Sequence, residues 1–320
     1  MLEPGATPVE RFGRFDLWKK IGQGGMAEVF LATDRDNAVD PTRGITGQFV
    51  VKRMHRELES KRDAVELFTT EADVTLLLKH PGIVEVLESG EIDGRYYMAM
   101  EWIRGWTLEE LGDILFAKDE ALEPDPAVHI IMAVLDTLRY VHAATSKTGR
   151  ALGLVHRDVT PSNVYVTYEG DVKLGDFGVA KLAAVEGWTM AGSIKGKIGY
   201  LAPEQVSGKP PDQSIDRYAA AIMLYELLTG KPCFEGENEL DVMLRIRDAK
   251  YVKPRKVRPS IPRALQSVVC KALRKRPSWR FKTSEAFIKA LSDYRDRYGD
   301  RIIADDLTAL MIHHGLKRPA

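Results

Sequence analysis

The sequence predicts an α+β chain with two lobes, in which a small antiparallel-sheet lobe carrying one helix precedes a larger, mainly helical lobe. Short runs of β-branched and aromatic residues dominate the chain up to Met100. The clearest predicted strands cover residues 28–32, 48–54, 83–87 and 96–100. One helical pattern over residues 63–79 interrupts these runs and ends where Pro and Gly follow.

Beyond Gly105 the apolar spacing changes to a mainly helical period. Asp125 and Pro126 predict an N-cap followed by the first residue of a long helix. Residues 214–229 are apolar nearly all round and are followed by Gly230, which predicts a helix at the centre of the larger lobe. Two further amphipathic helices are predicted at 262–274 and 283–298.

The change of period also predicts the domain limits. These are an N-terminal extension at 1–14, a main domain at 15–296 and a C-terminal helical extension at 297–320. Within the main domain, the small lobe is 15–101, the connecting segment is 102–105 and the large lobe is 106–296. An apolar stripe through Leu307 and Met311 predicts that the last helix docks on the larger lobe. A cleft between two lobes is a common ligand site.

Composition limits the classes of function. The 320 residues are 44% hydrophobic, and 46 Lys and Arg balance 46 Asp and Glu, so neither nucleic acid nor an anionic membrane is an expected partner. Cys233 and Cys270 are far apart, which fits a reducing, cytoplasmic compartment. The sequence shows no secretory signal and no membrane-spanning run, although a longer, membrane-anchored parent chain stays open.

A glycine-rich stretch lies between two predicted strands. Gly22, Gly24 and Gly25 lack side chains, so their backbone N–H groups can approach phosphate oxygens closely. A dinucleotide-binding loop is the main alternative, but that motif opens a helix, whereas residues 29–32 read as a strand. Taken alone, the stretch is equally compatible with a plain Gly-rich hairpin.

A lysine and a glutamate follow at suggestive positions. Lys52 lies in an apolar strand, and Glu71 lies within the predicted helix. Each alone reads most simply as a surface charge. Together they can form an ion pair that holds a phosphate-binding lysine in place.

Further along, the chain resembles the protein kinase superfamily, and in particular the bacterial, eukaryotic-like Ser/Thr protein kinases. The resemblance covers about residues 15–296 and rests on the order of its motifs. After the Gly loop, Lys52 and Glu71, these are His156-Arg157-Asp158, Asn163, Asp176-Phe177-Gly178, Ala202-Pro203-Glu204, Asp216 and Arg280. It implies a bilobal protein-kinase fold and transfer of the γ-phosphoryl of Mg-ATP to a protein substrate.

The resemblance also implies a role for each site residue. Asp158 would accept the proton of the substrate hydroxyl, and Asn163 and Asp176 would hold Mg²⁺. The residues expected to bind ATP are Ile21, Gly22, Gly24, Gly25, Val29, Val50, Lys52, Glu71, Met100, Glu101 and Ile103. A buried pair of Glu204 with Arg280, and Asp216 bound to catalytic-loop amides, would be supporting contacts, with His156 mainly a packing residue.

Two departures from the family concern the residues around the catalytic Asp. Thr160 stands where Ser/Thr kinases usually carry a catalytic-loop Lys, and Lys197 stands where they usually carry Thr. Our hypothesis is that the two residue types have exchanged, so that Lys197 supplies a cation beside Asp158 while Thr160 supplies the hydroxyl. The alternative is that Lys197 is a solvated, substrate-facing lysine.

Regulation and acceptor type follow from the same loop. Pro161 makes the catalytic loop similar to that of Ser/Thr kinases. Arg157 predicts control by phosphorylation of the activation loop, with Thr189 and Ser193 as acceptors. The alternative is that these two residues are only exposed loop hydroxyls. The rival function is a pseudokinase that binds ATP as a signalling scaffold. The Ala-Pro-Glu segment and Arg280 argue against a small-molecule kinase, and the sequence says nothing about dimerisation.

Overall fold

The computed structural model describes residues 7–36, 47–146, 148–177, 198–299 and 304–317. The small lobe is a six-stranded antiparallel sheet in the order β1-β2-β3-β4-β6-β5. Its strands are β1 (Glu10–Phe12), β2 (Phe15–Gln23), β3 (Ala27–Asp34), β4 (Gln48–Met54), β5 (Val86–Ile92) and β6 (Arg95–Glu101). This is the predicted small-lobe architecture.

Alternation along β4 gives this sheet two different faces. Phe49 and Val51 point into an aromatic cluster on one face, whereas Met54 on the other face packs against helix α1 (Arg62–Leu77). Phe68 of α1 completes that packing. Lys52 is two residues before Met54 on the strand, so both side chains point to the same face of the sheet. This is the face that carries helix α1.

The predicted N-terminal extension contributes a strand to the small lobe. β1 pairs with β2, and both terminal nitrogens of Arg53 donate to the carboxylate of Glu10, at 2.6 and 2.9 Å. The Arg53 guanidinium also lies over the ring of Phe12, 5.1 Å from its centre. Residues 10–12 are therefore tied to the sheet both by backbone pairing and by side chains.

One predicted strand starts later than expected. Residues 83–87 were predicted to be a strand, but β5 begins at Val86, and Ile83 instead forms a parallel bridge with Leu174 of the large lobe. Leu174 N–H donates to the Gly82 carbonyl at 2.8 Å, and Val84 N–H donates to the Leu174 carbonyl at 3.0 Å. The apolar pattern of this segment thus reflects burial between the lobes.

The large lobe combines a three-stranded sheet with most of the helices. The strands are β7 (Gly105–Thr107), β8 (Val164–Thr167) and β9 (Val172–Leu174), in the order β7-β8-β9. Its helices are α2 (Leu108–Lys118), α3 (Pro124–His142), α4 (Pro203–Val206), α5 (Ser214–Thr229), α6 (Glu239–Arg247), α7 (Pro254–Val257), α8 (Arg263–Ala272), α9 (Ser284–Tyr298) and α10 (Ala304–His313). No helix of the described ranges is long and apolar enough to cross a membrane.

Helix α5 lies at the centre of the large lobe, as its apolar composition predicts. Every one of its residues is buried. Gly230 ends the helix with a left-handed φ of 64°, and a Cβ there would overlap the carbonyl of Glu120. Glycine is therefore required at this end both by conformation and by space.

One helix prediction needs correction, and one helix was not predicted. α3 begins at Pro124, preceded by Glu123, so Asp125 is not its N-cap. Prolines fit anywhere in a first turn, where N–H groups have no helical partner, so Pro124 starts the helix earlier than Pro126 would. Helix α2 was not predicted, although Thr107 and Glu110 form a capping box at its start.

The last helix docks on the large lobe, as predicted. Leu307 and Met311 of α10 are buried in the large-lobe core, and the Thr308 hydroxyl donates to the Tyr168 carbonyl at 3.0 Å. The Trp106 indole N–H donates to the Lys317 carbonyl at 3.2 Å. Helix α10 therefore packs beside β8, and the residues that follow the helix contact β7.

Candidate functional site

Three charged side chains from different elements meet in the cleft. Lys52 Nζ of β4 lies 2.8 Å from Glu71 Oε1 of α1 and 2.9 Å from Asp176 Oδ1, which follows β9. The ion pair expected from the Lys52 and Glu71 positions is confirmed. The contact with Asp176 connects the small lobe to the large one.

The surroundings keep this lysine charged. Burial alone would lower the pKa of Lys52, but the carboxylates of Asp176 and Glu71 outweigh it and raise the pKa above its ordinary value. An ammonium held between two carboxylates is fixed in position before any ligand arrives. It is therefore a preorganised cation in the cleft.

The catalytic loop brings an acid and an amide together. Asn163 closes a short 3-10 turn that begins at Pro161, and its side-chain Nδ2 donates to the Asp158 backbone carbonyl at 2.9 Å. Gly175 N–H donates to the Asn163 carbonyl at 2.9 Å, which places Asp176 next to this turn. Asp158, Asn163 and Asp176 therefore belong to one connected site, as the motif order predicts.

Asp216 holds the backbone of this loop. Its carboxylate accepts the N–H groups of His156 and Arg157, both at 2.8 Å, and contacts His142 Nε2 at 2.8 Å. Arg157 and Asp176 have left-handed φ angles of 66° and 50°, which cost energy for non-glycine residues. The predicted support role of Asp216 is confirmed, since its hydrogen bonds offset part of that cost at Arg157.

His156 is a packing residue. It is completely buried, and its ring lies 4.5 Å from the ring of Phe177. The Asp158 N–H donates to His156 Nδ1 at 3.3 Å. Burial lowers the pKa of His156, despite the attraction of Asp216, so the imidazole is neutral and structural at physiological pH.

The glycine loop connects β2 to β3, as the strand pattern predicts. Gly24 N–H donates to the Ala27 carbonyl at 2.8 Å, and an added Cβ at Gly25 would meet no protein atom within 4 Å. The loop thus leaves open space beside its backbone. Sequence reasoning missed His55, the residue after β4, whose Nε2 donates to the Gly24 carbonyl at 2.8 Å and fixes the loop.

The remaining predicted ATP-binding residues lie on the small-lobe sheet and in the connecting segment. Val50 and Met100 face each other across β4 and β6, while Val29 pairs with Gly22 across β3 and β2. Ile21 lies on β2 and is partly exposed. Glu101 ends β6, and Ile103 lies in the connecting segment.

The Glu101 backbone N–H already has a hydrogen-bond partner. It donates to the Glu85 carbonyl at 2.9 Å, which leaves the Glu101 carbonyl as its backbone group for a ligand. Sequence reasoning also missed Lys173 of β9, whose Nζ contacts Glu101 Oε1 at 2.6 Å. The two residues are 72 positions apart, so no local pattern could have paired them.

Several predicted residues lie outside the described ranges. Lys197, Thr189 and Ser193 are among them, so their proposed roles stay predictions. Thr160 is described, and it is buried with its hydroxyl 3.0 Å from that of Ser162.

Two buried carboxylates support the large lobe around the site. Glu204 and Arg280 form the predicted pair, with two N–H groups of Arg280 donating to the two carboxylate oxygens at 2.6 Å each. Glu226 of α5 accepts the Tyr200 hydroxyl at 2.6 Å and the Cys233 N–H at 3.1 Å. Burial raises the pKa of Glu226 to about 7, although both hydrogen bonds favour its charged form.

Replacing Glu226 by Gln should flatten the dependence of stability on pH. The folded-state pKa of about 7 lies above the ordinary value of 4.5, so the protonated side chain favours folding. That contribution is fully present below pH 4.5 and is lost as pH rises through 7. When pH rises through this window, the free energy of unfolding measured in urea should fall by up to about 3 kcal/mol more in wild type than in Glu226→Gln. Parallel curves for the two proteins would contradict this.

Comparison with known proteins identifies the class. Residues 15–290 match the family described as protein kinase domain, and the chain belongs to that family. It is 36% identical to tyrosine-protein kinase MasK of Myxococcus xanthus, covering 92% of this chain and 45% of that protein. It is 30% identical to serine/threonine-protein kinase PrkC of Bacillus subtilis, covering 85% of this chain and 39% of that protein.

A solved structure agrees with the fold. The Mycobacterium tuberculosis PknI kinase domain superposes with a TM-score of 0.65 at 26% identity, covering 92% of this chain and all of that one. The bilobal protein-kinase fold expected from the sequence is therefore confirmed. The chain spans less than half the length of the curated relatives named above.

Proposed function

We propose that this chain transfers the γ-phosphoryl group of ATP, bound with Mg²⁺, to Ser and Thr hydroxyls of protein substrates. The observation that carries the proposal is the position of Lys52, 2.8 Å from Glu71 and 2.9 Å from Asp176. This contact sets a fixed cation beside the acid and amide of the catalytic loop. Phosphoryl transfer needs mainly such positioning and charge stabilisation.

The walls of the cleft suit ATP. The open backbone at Gly24 and Gly25 would receive the phosphates, with Lys52 Nζ on the α- and β-phosphates. Val50 and Met100 would contact the adenine ring. The remaining adenine contacts would come from backbone groups of the connecting segment, and Ile21, Val29 and Gly22 would cover the ligand from the glycine loop.

The donor set fits Mg²⁺. Asn163 uses its Nδ2 on the Asp158 carbonyl, which leaves its side-chain oxygen for a metal, and Asp176 offers a carboxylate. Both are hard oxygen donors, which Mg²⁺ prefers together with phosphate oxygens and water. When bound, Mg²⁺ would neutralise charge on the phosphates.

Asp158 has the chemistry of the proton acceptor. Its backbone is fixed on both sides, by its N–H to His156 Nδ1 and by its carbonyl to Asn163. A carboxylate so held would orient the substrate hydroxyl and take its proton as oxygen attacks phosphorus and the bond to ADP breaks. Neutral His156 would not compete for that proton.

The acceptor type and the regulation rest on the catalytic loop and on the relatives. Pro161 in the catalytic loop and the name of PrkC favour Ser and Thr, whereas the name of MasK points to tyrosine. Arg157 would pair with a phosphate placed on Thr189 or Ser193 by autophosphorylation.

Incubation with Mg²⁺ and ATP labelled on the γ-phosphate, with and without a generic protein substrate, tests the function. Phosphoamino acid analysis should find label on Ser or Thr, and mass mapping should find Thr189 or Ser193 modified. ATP binding without any transfer would make the chain a pseudokinase scaffold. Label on tyrosine alone would refute the Ser/Thr assignment, and unmodified Thr189 and Ser193 would refute the regulatory one.

The Lys197 hypothesis has its own test. Lys197→Ala should lower kcat by about 100-fold, because a cation near the transferring phosphoryl group is lost. Lys195→Ala, two positions away, is the matched control and should keep kcat. The exchange variant Thr160→Lys with Lys197→Thr should recover most of the lost rate. Unchanged kcat in Lys197→Ala would mean that Lys197 is a solvated lysine.

A further inference from the structure

An ion pair joins the two lobes beside the connecting segment. Glu101 is the last residue of β6 in the small lobe, and Lys173 is the central residue of β9 in the large lobe. Lys173 Nζ lies 2.6 Å from Glu101 Oε1, and the two side chains are only 19% and 26% exposed. Limited exposure means that solvent and salt screen this pair less than a surface pair.

Both the backbone and the side chain of Glu101 make hydrogen bonds. Its N–H donates to the Glu85 carbonyl at 2.9 Å, and the Glu85 N–H donates to its Oε1 at 2.8 Å. Lys173 donates to the same oxygen. Backbone and side chain of Glu101 are therefore both fixed, immediately before the connecting segment.

The strand that carries Lys173 also leads to the catalytic aspartate. The backbone of Leu174 bonds to Gly82 and Val84, and Asp176 follows two residues later. Because side chains alternate along a strand, Lys173 points away from buried Val172 and Leu174. β9 is thus attached to the small lobe by its backbone and, through Lys173, to the end of β6.

We propose that Lys173 is a positioning residue for ATP, which fixes Glu101 and so orients the backbone that receives adenine. This inference rests on the ATP binding proposed above. The pair lies on the adenine side, whereas Lys52 and Asp176 govern the phosphates. Loss of Lys173 therefore weakens nucleotide binding and leaves the transfer step largely intact.

Calorimetric titration with Mg-ATP and with adenosine tests this inference. The proteins compared are wild type, Lys173→Met, Glu101→Gln and the double variant. Lys173→Met should raise Kd for both ligands by about 5- to 10-fold, with kcat within about 2-fold. The double variant should be no worse than the single ones. Lys173→Arg should recover most of the affinity.

The control is Lys289→Met, which removes a surface pair with Asp293 on α9. It should bind both ligands as wild type does. A purely structural role for Lys173 would lower Tm without changing either Kd and would overturn the inference, as would a fall in kcat at unchanged Kd. Failure of wild type to bind ATP would instead refute the proposed function, and the inference with it.

Discussion

Replacing Asp158 by Asn should lower kcat by about 10²- to 10⁴-fold, the range that a positioned general base contributes. The amide has the same shape as the carboxylate but does not take the hydroxyl proton. The backbone contacts of Asp158 with His156 and Asn163 do not involve the carboxylate, so the loop should keep its structure. Kd for Mg-ATP should therefore stay within about 3-fold of wild type.

Steady-state transfer rates, with ATP affinity measured separately, check this expectation. Asp293→Asn is the matched control, since it makes the same chemical change in an exposed pair on α9. Its kcat should not change. If Asp158→Asn kept wild-type kcat, Asp158 would not be the proton acceptor and the proposed mechanism would fail.

Replacing Arg280 by Ala should destabilise the large lobe by about 3–5 kcal/mol. Arg280 donates to both oxygens of buried Glu204, and it also donates to the carbonyls of Arg274 and Lys275 at 2.7 and 2.9 Å. Without Arg280, the Glu204 carboxylate keeps a hydrogen bond from Ser214 at 3.2 Å but loses its charged partner. An uncompensated buried charge is among the largest single-residue costs.

Urea unfolding measures the loss of stability. An ion pair with the same N···O distance, but on the surface, serves as the control. Arg139 also lies 2.6 Å from a carboxylate, that of Asp136, but both side chains are nearly half exposed. Arg139→Ala should cost less than about 1 kcal/mol. Combining Arg280→Met with Glu204→Gln should recover part of the stability, because neither position then carries a buried charge. A similar cost for Arg280→Ala and Arg139→Ala would show that burial does not govern the pair.

Local patterns predicted most of the elements. The period and end signals around α5 placed its residues and its glycine end correctly, since both depend on side chains within the helix itself. The same kind of signal, a capping box at Thr107 and Glu110, also marks α2 and was overlooked. The start of β5 was misplaced because an apolar run shows burial but not the partner that buries it.

The sequence by itself determined the family, and it predicted the site residues, because the order of short motifs can be read directly along the chain. The pairing of Lys52 with Glu71 and of Glu204 with Arg280 also followed, through resemblance to other kinases. Only the tertiary structure showed that His55 holds the glycine loop and that Lys173 holds Glu101. Such contacts join residues distant in the chain, and their energy depends on distance and burial, which no local sequence pattern encodes.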